Sequence, residues 1–345
     1  MDDVARMDAG DRADLFAAAA SRRALVPEII EKDFWVCWTL HRLFTLPSLP
    51  AGLIFKGGTS LSKVYQAIER FSEDVDLSFD RAGLGFAGDQ DPLRAASGKK
   101  KKRGVEALQA TCQRVIRDEF LPQLSAAFAA TLSGKPADRW LLEMDPDDPD
   151  QQTLLFHYPQ SGRARPADEP AYMRPFVRLE MGGRAEHWPV NESTVTSYAA
   201  EELPHLFRQP SCTVRVLAAE RTFWEKATIL HAWYHAPAEK RLRDRQSRHY
   251  YDVARMYETG TGKAAVQDTG LLLKVAEHKE VFFAAPWAKY REARPGSLRL
   301  VPPDARLPEI SDDYRKMREM IFGPPPEFDH LLEILREIER QINGS

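Results

Sequence analysis

Apolar residues return at helical spacing over residues 11–45, and "VPEIIEKDFWVCWTLHRLF" carries one continuous apolar face, so this stretch predicts helix. Leu53, Ile54 and Phe55 form a short apolar run ending in glycines, the mark of a buried strand stopped by a turn. In "TSLSKVYQAIERF" apolar residues fall at 61, 64, 65, 68 and 71, which predicts helix; "DVDLSFD" then alternates with period two, which predicts strand. The polar, glycine-rich "GLGFAGDQDPLRAASGKKKKRG" predicts an exposed loop. Helix returns over 104–132. "ADRWLLEMDPDDPDQQTLLFHYP" and "AYMRPFVRLEMGG" predict further strands, with turn material at "PDDPD", 146–150. Helical patterns then cover 217–235, 246–258, 264–283 and 326–342, the last with an apolar stripe at 328, 331, 332, 335, 338 and 342. This order predicts an α+β domain over 1–213 followed by a mainly helical domain over 214–345.

Composition narrows the class. A length of 345 residues suits about two domains, and 43% hydrophobic with 29% charged residues suits a soluble protein with a real core. No apolar run reaches the roughly 18 residues of a membrane span. The start, "MDDVARMDAGDR", is acidic and has no apolar signal region, which points away from secretion. Cys37, Cys112 and Cys212 are too few and scattered for a disulfide frame or a zinc site, so the reducing cytoplasm is the expected location. The net charge of −3 announces no global basic field, but "KKKKR" (99–103) and "KRLRDRQSR" (240–248) are local basic clusters. Such runs are usually solvated surface.

The chemistry concentrates in "FKGGTSLSKVYQAIERFSEDVDLSF", residues 55–79. Gly57 and Gly58 follow a strand and precede a helix, where glycine lets the backbone come close to a ligand. Thr59 or Ser60 would cap that helix, and free amides at a helix start suit a phosphate. Lys56 would either reach phosphate or face solvent. Asp74 and Asp76 lie two apart on a strand, so both side chains fall on one face, with Val75, Leu77 and Phe79 on the other. Two adjacent carboxylates call for a cation or proton between them, and magnesium takes hard oxygen ligands together with substrate phosphates. A strand with one solvated polar face would give the same pattern.

A third acid is available in "FVRLEMGGRAE", where Phe176, Arg178 and Glu180 share a face. If this strand lies beside that of Asp74 and Asp76, Glu180 completes a three-carboxylate cluster able to hold two metals; otherwise Glu180 pairs with Arg178 or Arg184. His231 and His235 are four apart on a helix, but no third ligand accompanies them. Trp224, Trp233 and Trp287 suit a core better than a base-stacking platform.

The 55–79 stretch strongly resembles the AbiEii/AbiGii toxin family of bacterial abortive-infection and toxin–antitoxin systems, within the DNA polymerase β-like nucleotidyltransferase superfamily. "IIEKDFWVCWTLHRLF", "VRLEMGGRAE", "AERTFWEKATILHAW" and "SRHYYDVARM" resemble further family segments in the same order, and "FFAAPWAKYREARPGSLRLVPP" looks familial without an evident chemical role. The resemblance implies a polymerase β-like core and a helical domain that completes the active site. It implies that Gly57, Gly58, Thr59 and Ser60 hold a nucleoside triphosphate (NTP), and that Asp74 and Asp76 bind Mg2+ or Mn2+, with Glu180 a metal ligand where the third carboxylate is kept. Lys226 would contact triphosphate oxygens, as suits a lysine's point charge, and Asp252 would order the nucleotide or Lys226. The expected activity is transfer of a nucleoside monophosphate to an acceptor hydroxyl, with RNA such as tRNA as acceptor and a cognate antitoxin as partner. The alternatives are a nucleotide-binding or partner-binding protein of the same fold without transfer, and a nucleotidyltransferase acting on a small molecule or protein. The basic run 240–248 would guide a phosphate backbone.

Overall fold

A computed structural model of the chain describes residues 1–47, 52–132, 139–162, 174–242 and 244–344. The first helical stretch comprises α1 (Asp2–Ala5), α2 (Ala9–Arg23) and α3 (Pro27–Phe44). Ala24 turns left-handed at φ 54° to end α2, and Pro27, which fits a helix's first position, starts α3. Then follow β1 (Leu53–Lys56), α4 (Gly57–Lys63), β2 (Asp74–Phe79) and α5 (Gly98–Val115), which runs through a π turn at Ile116–Phe120 into α6 (Leu121–Leu132). β3 (Leu141–Met144), β4 (Thr153–His157), β5 (Phe176–Glu180), β6 (Val190–Thr196), α7 (Tyr198–Glu202) and β7 (Ser211–Leu217) complete the sheet region. The rest is helical: α8 (Ala219–Tyr234), α9 (Arg248–Glu258), α10 (Thr261–Ala265), α11 (Thr269–Phe282), α12 (Leu307–Met317) and α13 (Phe328–Asn343).

The chain forms two compact units. The first comprises Met1–Thr59, Glu73–Ala87 and Glu106–Val216; the second comprises Ser60–Ser72, Gly88–Val105 and Leu217–Ser345. In the first unit seven strands form one mixed sheet in the order β3-β4-β5-β2-β1-β7-β6. β2 lies antiparallel to β1 and parallel to β5, and β4 is antiparallel to β3 and β5. The α+β expectation is therefore met. Val75, Leu77 and Phe79 are buried, as period-two alternation requires, and so are Val177 and Leu179 on β5. Trp38 and Phe156 on α3 and β4 meet Phe128 of α6 at ring separations of 4.8 and 4.5 Å, so an aromatic cluster ties these helices to the sheet. The second unit closes around Phe223, Trp224, Tyr250, Tyr251 and the stripe Leu331, Leu332, Leu335, Ile338 and Ile342 of α13. No helix among the described residues is long and apolar enough to cross a membrane.

Several expectations are corrected. The helix predicted through residue 71 stops at Lys63. Gln66 adopts a left-handed φ of 49°, and Ala67, Ile68 and Phe71 bury themselves along a non-helical path. Burial against the second unit's own core satisfies these apolar residues without helical spacing. "KKKKR" belongs to the exposed first turns of α5 rather than a loop, because lysine and arginine are good helix formers and Ser97 Oγ accepts the Lys100 amide at 3.3 Å. The helix predicted over 264–283 is two helices, with Asp268 Oδ1 capping α11 through the Leu271 amide at 3.0 Å. β6, β7, α7 and α12 were not anticipated. Parts of the predicted strands, residues 137–138 and 171–173, lie outside the described residues.

Candidate nucleotide and metal site

Elements β1, α4, β2 and β5 bring together most of the first unit's candidate residues. Register sets Lys56 of β1 opposite Asp76 of β2, and Asp76 in turn opposite Glu180 of β5. Arg178 lies opposite Asp74. The strand of Glu180 thus does lie beside that of Asp74 and Asp76, and the three carboxylates occupy one face of two adjoining strands. All three are partly exposed, while the residues alternating with them are buried.

Cations surround this acid face. Lys56 Nζ lies 3.8 Å from Asp76 Oδ1, and Arg178 lies 3.3 Å from both Glu180 Oε1 and Asp145 Oδ2. Glu180 therefore lies beside Asp76 and pairs with Arg178. Arg184 instead faces Asp150 at 3.6 Å. Burial, then the negative charges of Asp76 and Asp74, push the Glu180 carboxyl up to about 7, against the opposing Arg178 and Lys56.

Gly57 has a φ of 79°, and a Cβ on it would lie 1.9 Å from Asp76 Oδ2. Glycine is required here because the carboxylate fills the space a side chain would occupy. Thr59 is buried and its hydroxyl donates to the Asp74 carbonyl, tying the start of α4 to β2. Ser60 is fully buried. Gly58 follows Gly57 within the same first turn.

Among the described residues no group of three or more His, Cys, Asp or Glu is arranged to hold a metal ion, this one included. The donor set nevertheless fits a divalent cation in kind. It consists of hard carboxylate oxygens gathered on one face of two adjoining strands.

Lys32, which no local sequence pattern marks, supports the acid strands from α3. Its buried ammonium lies 3.2 Å from Glu73 Oε2 and donates to the carbonyls of Arg174, at 2.8 Å, and Phe176. It thereby joins the residue preceding β2 to the start of β5. Burial lowers the Lys32 ammonium while Glu73 opposes that shift.

In the second unit Asp252 is fully buried on α9. Arg70 grips it with two hydrogen bonds of 2.7 and 2.8 Å, and Lys226 Nζ of α8 lies 2.8 Å from Oδ2. Burial would raise the Asp252 carboxyl, but Arg70 and Lys226 hold it well below the usual carboxylate range. Burial lowers the Lys226 ammonium, and Asp252 opposes this. Lys226 and Asp252 thus form a buried ion pair. Arg70 was missed, because nothing local marks a partner 182 residues away.

Trp224 and Trp233 are core, and half-buried Trp287 carries Lys240 Nζ at 4.7 Å from its ring centre. His231 Nδ1 accepts the Arg299 amide at 3.1 Å while Nε2 faces the Lys289 carbonyl at 3.2 Å, which leaves no lone pair for a metal. In the basic run 240–248, Asp313 accepts the amides of Arg245 and Ser247, both at 2.7 Å; Arg243 lies outside the described residues.

A family model described as "Nucleotidyl transferase AbiEii toxin, Type IV TA system" matches residues 38–334. Among solved structures, the chain is similar to MenT4, a nucleotidyltransferase toxin from Mycobacterium tuberculosis H37Rv, at 15% identity and a TM-score of 0.43. That match covers 96% of this chain and 97% of the other. No curated protein matches the chain by sequence.

Proposed function

Because the chain belongs to the nucleotidyl transferase AbiEii toxin family of type IV toxin–antitoxin systems, we propose that it transfers a nucleoside monophosphate from an NTP to a hydroxyl of RNA, of the tRNA kind, with a divalent cation. The observation that carries this reading is the register of β2 and β5, which sets Glu180 beside Asp76 with Asp74 on the same face.

Asp74, Asp76 and Glu180 are the side chains that would hold magnesium or manganese. Such a cation, when bound, neutralises charge on phosphate oxygens and on the departing pyrophosphate. Gly57 keeps the approach to Asp76 clear of any side chain, and Thr59 fixes the turn through the Asp74 carbonyl. The Gly57–Ser60 turn would receive the triphosphate. Lys56 and Arg178 moderate the repulsion among the acids when no cation is present. Lys226 would supply positive charge to phosphate oxygens, with Asp252 keeping its ammonium oriented and Arg70 keeping Asp252 ionised. In the reaction the acceptor hydroxyl attacks the α-phosphorus in line and pyrophosphate departs. The family's description as part of a toxin–antitoxin system implies a cognate antitoxin.

The test is incubation of the protein with each labelled NTP, magnesium and total RNA. Label should enter RNA with the unchanged chain and not with Asp76→Ala of the same circular dichroism spectrum. Equal labelling by that variant rejects the reading.

A further inference from the structure

In the second unit, α13 and the segment at 298–301 frame an open groove of about 490 Å3, lined by Arg299, Glu333, Arg336, Glu339, Arg340 and Asn343. The three arginines are exposed, and no ion-pair or hydrogen-bond partner for their guanidiniums occurs among the described residues. Arg336 and Arg340 are one helical turn apart on α13.

The groove's acids are partly committed elsewhere. Glu339 Oε1 accepts the amides of Leu300 and, at 2.9 Å, Val301, while Glu333 lies 3.9 Å from His330. The backbone carrying Arg299 is fixed. Leu298 and Asn343 exchange two hydrogen bonds of 3.1 and 3.0 Å, and the Arg299 amide donates to His231. Its guanidinium lies 5.6 Å from the ring centre of half-buried Tyr234. A fixed backbone and a guanidinium already held over a ring lower the ordering cost of binding.

The lining side chains are all charged or amide-bearing, with their aliphatic stems forming the groove walls. A phosphate backbone is bound through positive charge and donors, which three exposed guanidiniums supply. We propose that this groove takes the phosphate backbone of an RNA strand through Arg299, Arg336 and Arg340. The proposal rests on RNA being the acceptor, and it gives a role to Arg299 of the familial segment "FFAAPWAKYREARPGSLRLVPP".

The test follows binding of fluorescein-labelled bulk tRNA to the full chain across a salt series. Replacing all three arginines by alanine should weaken binding and cut the slope of log K against log salt by about 2, at about 0.7 per lost phosphate contact. The triple lysine variant should keep most of the slope, since lysine retains the charge. An unchanged slope in the alanine variant, or equal loss in the lysine variant, overturns the proposal. So does loss of poly-glutamate binding with tRNA binding intact, which would assign the groove to an acidic protein. Asp76→Ala should retain the slope while losing transfer, so failure of the groove and failure of the transfer reading are distinguishable.

Discussion

Gly57 and Asp76 share one volume: a Cβ on the glycine would sit 1.9 Å from the aspartate's Oδ2, and the glycine's φ of 79° is itself unfavourable for any L side chain. The turn and the acid strand are therefore one device. Gly57→Ala should cost about 1–3 kcal/mol in strain and displace the Asp76 carboxylate. The expected outcome is a lowered urea midpoint together with loss of nucleotide transfer.

Asp252→Asn should be far more damaging than Lys226→Met. The first leaves Arg70 and Lys226 buried without a counter-charge, a situation costing about 3–5 kcal/mol. The second leaves Asp252 its two bonds to Arg70. Denaturant unfolding of both variants checks the order, and Lys226→Met should lose transfer while staying folded.

Lys32→Met should cost about 1–3 kcal/mol by leaving the Arg174 and Phe176 carbonyls short of a donor. It also releases Glu73, so transfer should fall with it. A Lys32→Met protein as stable and as active as the parent would show that the clamp is idle.

Burial, with His235 nearby, pulls His231 down to about 4 from a usual 6.5. Between those values the unfolded chain binds more protons than the folded one. Stability is therefore full above about 6.5 and falls as pH drops toward 4. Urea midpoints over that range should fall less steeply for a folded His231→Gln variant.

The β1–α4–β2 stretch was legible because its signals are local: an apolar run, two glycines and a period-two strand. Glu180 was legible only conditionally, since its face could be read but not the pairing of β5 with β2. Gln66 gave no sign that it would turn left-handed and end the helix, as residues other than glycine and asparagine seldom do. Arg70 and Lys32 are defined by partners far along the chain, so no local pattern marks them. In β7 the signal was present, with Cys212, Val214 and Val216 buried alternately, but the helical pattern that follows drew the reading away. β6 is mostly polar and lies at the edge of the sheet, where only one side is paired.

Calorimetric titration of the nucleotide-free protein with Mn2+ asks directly whether the β2–β5 acid face holds a divalent cation. Saturable binding that disappears in Asp74→Asn/Asp76→Asn and weakens in Glu180→Gln, with each variant folded, is the predicted result. Binding of equal strength in the double variant would contradict it.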